Sequence, residues 1–388
     1  ATIEGNSSTY GIGGGLDNTG FTTTVTSTKG TTTTTTTATM TITNSTIKNN
    51  LSFYGGGINN SSTGNLTITN TTIQNNTGTL GGGIWNDGTL SVSASTIADN
   101  LAVAGGGISN NLPGTLMLVN STIAGNTATQ YGGGIDNVGI FTAVNDTIAY
   151  NVVASGGAGG GLVSTAGTAS LYNTIVVDNY LGSTGGSAGD IAGTVATTSA
   201  YNLIGIGGSG GLTNDVNGNQ VGVASSFAAL GKLAANGGPT ETIALLTGST
   251  AIGAGSSTIP GVTVPTTDQR GEPRPAPPAS IDIGAYQTQP PVIVPVLAPT
   301  VVATKPLDPS VATSVSTNAT VVAPSVSISV SGVATPVAAP HAVKKVIGKG
   351  RPKPNGGSAG VFHKTTHKVA TKHVSIAAKH VNIKQAKK

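Results

Sequence analysis

Up to residue 231 the chain has no arginine and no histidine, and its aspartates stand alone: Asp17, Asp87, Asp99, Asp136, Asp146, Asp178, Asp190 and Asp215. Glycoside hydrolysis needs two carboxyl groups placed across the scissile bond. Eliminative cleavage of uronic polymers needs an Arg or Lys base beside acidic calcium ligands. Asp17, Asp87 and Asp136 follow glycine blocks at near-equivalent positions in different copies of a repeat, which reads as solvated turn aspartates. A catalytic pair would have to come from neighbouring copies, as Asp136 with Asp146 could. We therefore expect no catalytic residue, no cofactor and no metal ligand.

Other chemistries fit no better. The Ca²⁺-binding nonapeptide needs tandem Gly-Gly-x-Gly-x-Asp units, and "GGGID" at Gly132 is the nearest approach. "GSGG" and "GGSAG" lack the Gly-Lys-Ser/Thr of a phosphate loop. A threonine precedes each recurrent isoleucine, at Thr2, Thr46, Thr72, Thr96, Thr122, Thr147 and Thr174. An ice-binding face needs two such columns on one flat strand, whereas here the main strand varies from Thr67 to Ser91 to Met117. The threonines read as a turn-side column in a β-rich protein.

What must position these residues is a repeat. The isoleucine of an S/T-T-I block falls at Ile3, Ile47, Ile73, Ile97, Ile123, Ile148 and Ile175. A glycine block falls at Gly13, Gly55, Gly81, Gly105, Gly132 and Gly159. The isoleucine spacings are 44, 26, 24, 26, 25 and 27 residues, and the long one holds an inserted Thr-rich tract, including Thr31 to Thr37, that reads as an extended excursion. Short alternating runs such as "LTITN" at Leu66, "LSVSAS" at Leu90 and "LMLVN" at Leu116 mark strands with one buried face. With only 8% charged residues, 4% aromatic residues and 58 glycines, the composition disfavours helices. Cysteine is absent, which excludes disulfides and thiolate chemistry.

Short strands and tight turns recurring about every 25 residues indicate an all-β chain, a parallel β-helix. Stacked coils turn equivalent positions into columns. The isoleucines above should form one core column. Asn6, Asn50, Asn76, Asn100, Asn126, Asn151 and Asn179, the last shifted by one, should form a buried amide ladder. Asn18, Asn60, Asn86, Asn110 and Asn137 should form a second, loosely aligned at the second copy.

The pairing of G-G-G-I with I-x-x-N resembles the repeat of polymorphic outer-membrane proteins and related bacterial right-handed β-helices. "YNLIG" at Tyr201, "LGKLAANGGPTETIALLTGSTAIGAG" at Leu230 and "DQRGEPRPAPPASIDIGAYQ" at Asp268 resemble the closing segment of bacterial choice-of-anchor Q proteins. Gln287 stands where that pattern leads us to expect an acidic residue. The resemblance covers roughly residues 1 to 287 and implies a right-handed β-helix on an extracellular or bacterial cell-surface protein, without a particular activity.

Three parts are expected: a β-helix over 1–287 whose closing segment occupies about 200–287, a Pro/Val/Thr/Ala-rich linker over 288–343, and a basic, disordered tail over 344–388. Residues 1 to 289 carry five basic and 13 acidic groups, net −8, and residues 290 to 388 carry 13 and one, net +12. The tail cations are Lys344, Lys345, Lys349, Arg351, Lys353, Lys364, Lys368, Lys372, Lys379, Lys384, Lys387 and Lys388, with four of the five histidines. Such a polycation should bind anionic envelope polymers or polysaccharide, and nucleic acid without sequence reading. No run of 18 apolar residues suggests a transmembrane helix.

The expected function is a non-catalytic, adhesin-like structural β-helix. A carbohydrate-active lyase or hydrolase is a second reading. A filament subunit that self-associates through open helix ends is a third, since the chain starts inside a repeat at "ATIEGN" without a preceding cap.

Overall fold

The computed structural model describes residues 1–27 and 30–290. The basic tail and nearly all of the expected linker lie outside the described residues.

Each of the first six coils contributes one strand to each of four sheets, visited in fixed order. Sheet 1 takes the T-I-x strands, such as Thr72–Gln74, and has nine strands. Sheet 2 takes strands such as Leu51–Tyr54 and has eight, with an antiparallel last pair. Sheet 3 takes strands such as Ile84–Asn86 and has seven. Sheet 4 takes the longer alternating strands, such as Gly64–Thr69, and has six. The expected parallel β-helix is therefore the fold, with few helical residues.

The corners follow from local backbone chemistry. Left-handed residues bracket each sheet 1 strand: Asn44, Asn70, Ala94, Asn120, Asn145 and Asn173 before it, and Gly5, Asn49, Asn75, Asp99, Gly125, Tyr150 and Asp178 after it. Asn, Asp and Gly tolerate this conformation best. At the sheet 2 to sheet 3 corner Gly81 has φ +64°, and a Cβ on Gly82 would stand 2.4 Å from the Gly106 carbonyl oxygen of the next coil. Only glycine lets the coils approach that closely.

The core is a set of aliphatic columns. Ile3, Ile47, Ile73, Ile97, Ile123 and Ile148 pair in register along sheet 1. From Ile47 onwards they are fully buried, and Ile3 packs against their end. Ile175 does not belong to this column: Val176 pairs with Ile148, and Ile175 takes the place of Thr147. This also corrects Thr174, which lies outside the threonine column. Nothing is inserted before the turn: Val144 pairs with Tyr172, and the left-handed Asn145 and Asn173 follow them directly. Thr174-Ile175 simply stands one position ahead of the T-I register, and Val176 fills the core position. Asn179 keeps its usual offset of three from Val176, so the apparent shift of Asn179 belonged to the isoleucine. On sheet 4, Leu66, Leu90, Leu116, Phe141 and Ala169 form one column and Ile68, Val92, Leu118, Ala143 and Leu171 its neighbour. Phe141 thus sits beside Ala143, which keeps the volume of the layer nearly constant.

The amide ladder forms as expected. Each Asn side-chain oxygen accepts both the backbone N–H and the Nδ2 of the preceding Asn, at 2.9–3.1 Å from Asn50 to Asn179. The second Nδ2 proton of each interior rung goes to a carbonyl of the sheet 1 core column: Asn100 to Ile73, Asn126 to Ile97 and Asn151 to Ile123. Asn6 opens the ladder. The second ladder, Asn18 to Asn60, Asn86, Asn110 and Asn137, runs in full register at 2.7–2.8 Å per step, without the misalignment expected at its second copy.

The Thr-rich insertion is an antiparallel hairpin of Phe21–Ser27 and Gly30–Thr36, placed at the corner between sheets 3 and 4. It lengthens one coil without disturbing the stack.

Asn126→Ala leaves two donors of Asn100 unpaired and buried. It is expected to cost about 3 kcal/mol, against about 0.5 kcal/mol for Asn6→Ala at the exposed end. Chemical denaturation of the two variants measures the difference.

Candidate functional site

Past residue 200 sheet 1 continues through Leu203–Gly205 and Gln220–Val223. The chain then turns back along the outer face of sheet 1. There an antiparallel hairpin, Leu230–Ala234 with Thr242–Leu245, and the residues after it cover the middle coils. The outward position after each T-I explains why they dock there. It reads Glu4, Lys48 and Gln74 in the first coils, then Ala98, Ala124, Ala149 and Val177. Small apolar residues leave room for Ile243, Leu230 and Leu233 against Ala124 and Ala149. Ile175 and Val177 join Leu203, Ala228, Leu245, Ala251 and Ile283 in a second outer cluster. Ile175, misplaced in sequence, is an anchor for this segment.

The threonine column is the polar half of the same seat. Thr96, Thr122 and Thr147 are buried, whereas Thr2, Thr46 and Thr72 are not. Thr96 Oγ1 donates to the Glu241 carbonyl at 2.6 Å, and Thr147 Oγ1 accepts the Ala285 N–H at 3.0 Å. Gln269 spans the column. Its Oε1 accepts from Thr122 Oγ1 at 2.6 Å, and its Nε2 faces Thr96 Oγ1, Thr240 Oγ1 and the carbonyls of Ser95 and Glu241.

The D-Q-R-G-E-P-R run therefore serves as a clasp. Asp268 accepts backbone N–H groups of Arg270, Glu272 and Gln287, and pairs with the Arg270 guanidinium at 2.7 Å. Arg270 also stacks 3.7 Å over the Tyr286 ring. Arg274 is buried, and its donors meet Asn120 Oδ1, Gln287 Oε1 and the carbonyls of Thr267, Asp282 and Gly284. Burial lowers its pKa to about 10, against the pull of Asp268, Asp282 and Asp146. Gln287 presents a neutral oxygen to Arg274, and the same oxygen also accepts the Asp282 N–H at 2.9 Å.

The aspartates lie in distinct settings. Asp136 is half-buried on sheet 3, and Asp146 is enclosed at the corner between sheets 4 and 1, so the two do not form a pair. Asp146 belongs to a third ladder that the sequence reading missed. Beginning at the backbone N–H of Ser45, the residues Thr71, Ser95, Ser121, Asp146, Thr174, Asn202 and Asn219 each present an oxygen to the backbone N–H of the preceding member. The signal was the hydroxyl before the threonine in N-S-T-I and N-T-T-I. Burial pushes the Asp146 carboxyl well above the ordinary carboxylate range, against the N–H groups of Ser121 and Val144 and the charge of Arg274. Asp190 ends the first ladder: its Oδ1 takes the backbone and side-chain N–H of Asn179, and its Oδ2 takes Gly207 N–H. Burial raises the pKa of Asp190, while these hydrogen bonds lower it.

Asp178 accepts a short bond from Ser225 at the edge of the closing segment. Asp17 and Asp87 flank the half-buried Tyr54 and Trp85 at the corner between sheets 2 and 3. Among the described residues no helix is long and apolar enough to cross a membrane. Compared with protein-family models, curated proteins and solved structures, the chain gives no match.

Two outcomes follow. Gln269→Ala should loosen the clasp and expose the segment after Ala224 to limited proteolysis, with the repeats themselves still protected. Because the folded pKa of Asp146 lies above its unfolded value, its favourable contribution is complete below the ordinary carboxylate range and is lost as pH rises through the raised value. Asp146→Ser gives this rung the hydroxyl that Ser121 supplies on the rung before it and should flatten that dependence, gaining stability over the parent at neutral pH. Denaturation midpoints across pH 4 to pH 8 check the sign.

Proposed function

We propose that this chain is a non-catalytic, adhesin-like structural β-helix of the bacterial surface or extracellular space. In this reading its repeats present side chains at fixed axial intervals, and its basic C-terminal segment contacts anionic envelope polymers. The observation that carries the reading is the use made of the two most enclosed aspartates. Asp146 and Asp190 are the best placed for a raised carboxyl pKa, and both are spent on ladder hydrogen bonds. The lateral docking of the closing segment supports it too. That segment covers sheet 1, while side chains such as Phe53, Leu101, Met117 and Ile140 remain exposed elsewhere on the coils. The likeness of the stretches at Tyr201, Leu230 and Asp268 to choice-of-anchor Q proteins points to the same location.

The charge division supports the second half. A body of net −8 is repelled by anionic polymers, and a segment of net +12 is drawn to them. Retention of the full chain on cell-wall sacculi should vanish on truncation at Pro290. It should also fall steeply between low and moderate salt as counterions are released. A truncated body that binds as well as the full chain, or binding that ignores salt, would overturn this attachment. Loss of uronic-polymer integrity in the presence of the purified chain would overturn the non-catalytic reading.

A further inference from the structure

The outer corner between sheets 2 and 3 holds an aromatic groove that neither ladders nor clasp employ. The rings of Tyr54 and Trp85 lie with centroids 4.9 Å apart, and Phe53 meets Tyr54 edge-on at 4.7 Å. Tyr54 and Trp85 are half-buried, so packing fixes them while solvent still reaches them. With Ile12, Thr19, Asn59 and Asp87 they line an open groove of about 310 Å³.

Its polar groups are pre-positioned. Trp85 Nε1 donates to Asp87 Oδ2 at 2.9 Å, which fixes the indole. Asn59, buried, donates to Asp17 Oδ1 at 2.7 Å, and the Thr19 hydroxyl donates to the same oxygen at 2.6 Å. Register places Asp17, Asn59 and Trp85 in one column along the axis, with Ile12 and Tyr54 in the adjacent column of sheet 2. The same chemistry recurs further on. Tyr131 continues the Tyr54 column and Asp136 the Asp17 column, three coils or about 14 Å beyond Tyr54.

Aromatic faces beside carboxylate and amide groups suit one class of ligand. A pyranose ring lays its C–H face on an aromatic ring and offers hydroxyls to carboxylates and amides at the rim. Nucleobases also stack, but Asp17 and Asp87 repel the phosphates that accompany them. Uronic acids are opposed by the same charges. The coil spacing, about 4.8 Å, is close to the length of one pyranose residue in an extended glycan. We infer that this groove binds a neutral, β-linked polysaccharide laid along the helix axis. The inference names a ligand for the presenting scaffold proposed above and rests on that reading only for the absence of turnover.

Trp85 is the single tryptophan of the chain, so its emission reports the groove directly. Full-length protein is titrated with hexasaccharides of β-1,4-linked glucose, mannose and xylose, and with the galacturonic hexasaccharide. A saturable emission change is expected with at least one neutral sugar and none with the uronic one. Tyr54→Ala should weaken that binding about tenfold. Ile12→Arg, at an exposed position, should block the groove without touching the core. Circular dichroism and salt-dependent retention on sacculi should match the parent for both variants. No response to any neutral hexasaccharide, an equal response to the uronic one, or unchanged binding by Ile12→Arg would each overturn the inference. Release of reducing ends from a bound sugar would instead overturn the non-catalytic reading and leave the groove standing.

Discussion

The amide ladder from Asn6 to Asp190 is the interaction on which the remaining structure depends. Stacked coils have no covalent link from one to the next except through their corners, and no disulfide can tie them. The ladder sets the axial register instead. Each rung donates toward the C-terminal side, so the amide dipoles point the same way along the stack. A directional chain of this kind polarises cooperatively and favours a strong acceptor at its end. Asp190 is that acceptor, placed where the parallel stacking of sheet 2 gives way to an antiparallel pair.

Register, once set, determines what the outer faces can hold. The column after each T-I changes from Glu4, Lys48 and Gln74 to alanines, and the closing segment docks only where the side chains are small. Its polar contacts use the buried threonines, so this column of regularly spaced hydroxyls receives the chain's own backbone. The clasp around Asp268 and Gln269 is correspondingly demanding. Gln269 has contacts from two coils and from the hairpin, and Arg274 is held almost wholly by neutral oxygens. The same register aligns Tyr54 with Trp85 across neighbouring coils, where neither would form a groove alone.

Much of this was legible in the sequence because a solenoid writes its columns at fixed spacing. The ladder asparagines and the isoleucines from Ile47 to Ile148 could be read directly, as could the glycine corners. Ile175 misled because its Thr-Ile pair stands one position early in the register with a valine at the core position, and block matching follows residue type while packing follows side-chain direction. Val176, three before Asn179, was the better choice. The role of the threonine column stayed hidden because lateral docking joins residues nearly 150 positions apart, for which a single sequence carries only the hint of the alanines. Asp146 was read as a possible catalytic partner; its membership of a hydroxyl ladder shows only when Ser95, Ser121 and Thr174 are stacked beside it. The groove was missed because Trp85 and Tyr54 belong to different copies of the repeat.

The central claim is that the ladder holds the coils in register and that Asp190 anchors its end. Amide hydrogen exchange tests this most directly. The backbone N–H groups of Asn76, Asn100, Asn126 and Asn151 should be among the slowest in the chain, since each donates to a buried side-chain oxygen of the next rung. In Asp190→Ala, protection should fall first at Asn179 and then at Asn151, fading toward Asn76. Fast exchange at these amides in the parent chain, or protection at Asn179 unchanged in Asp190→Ala, would contradict the account.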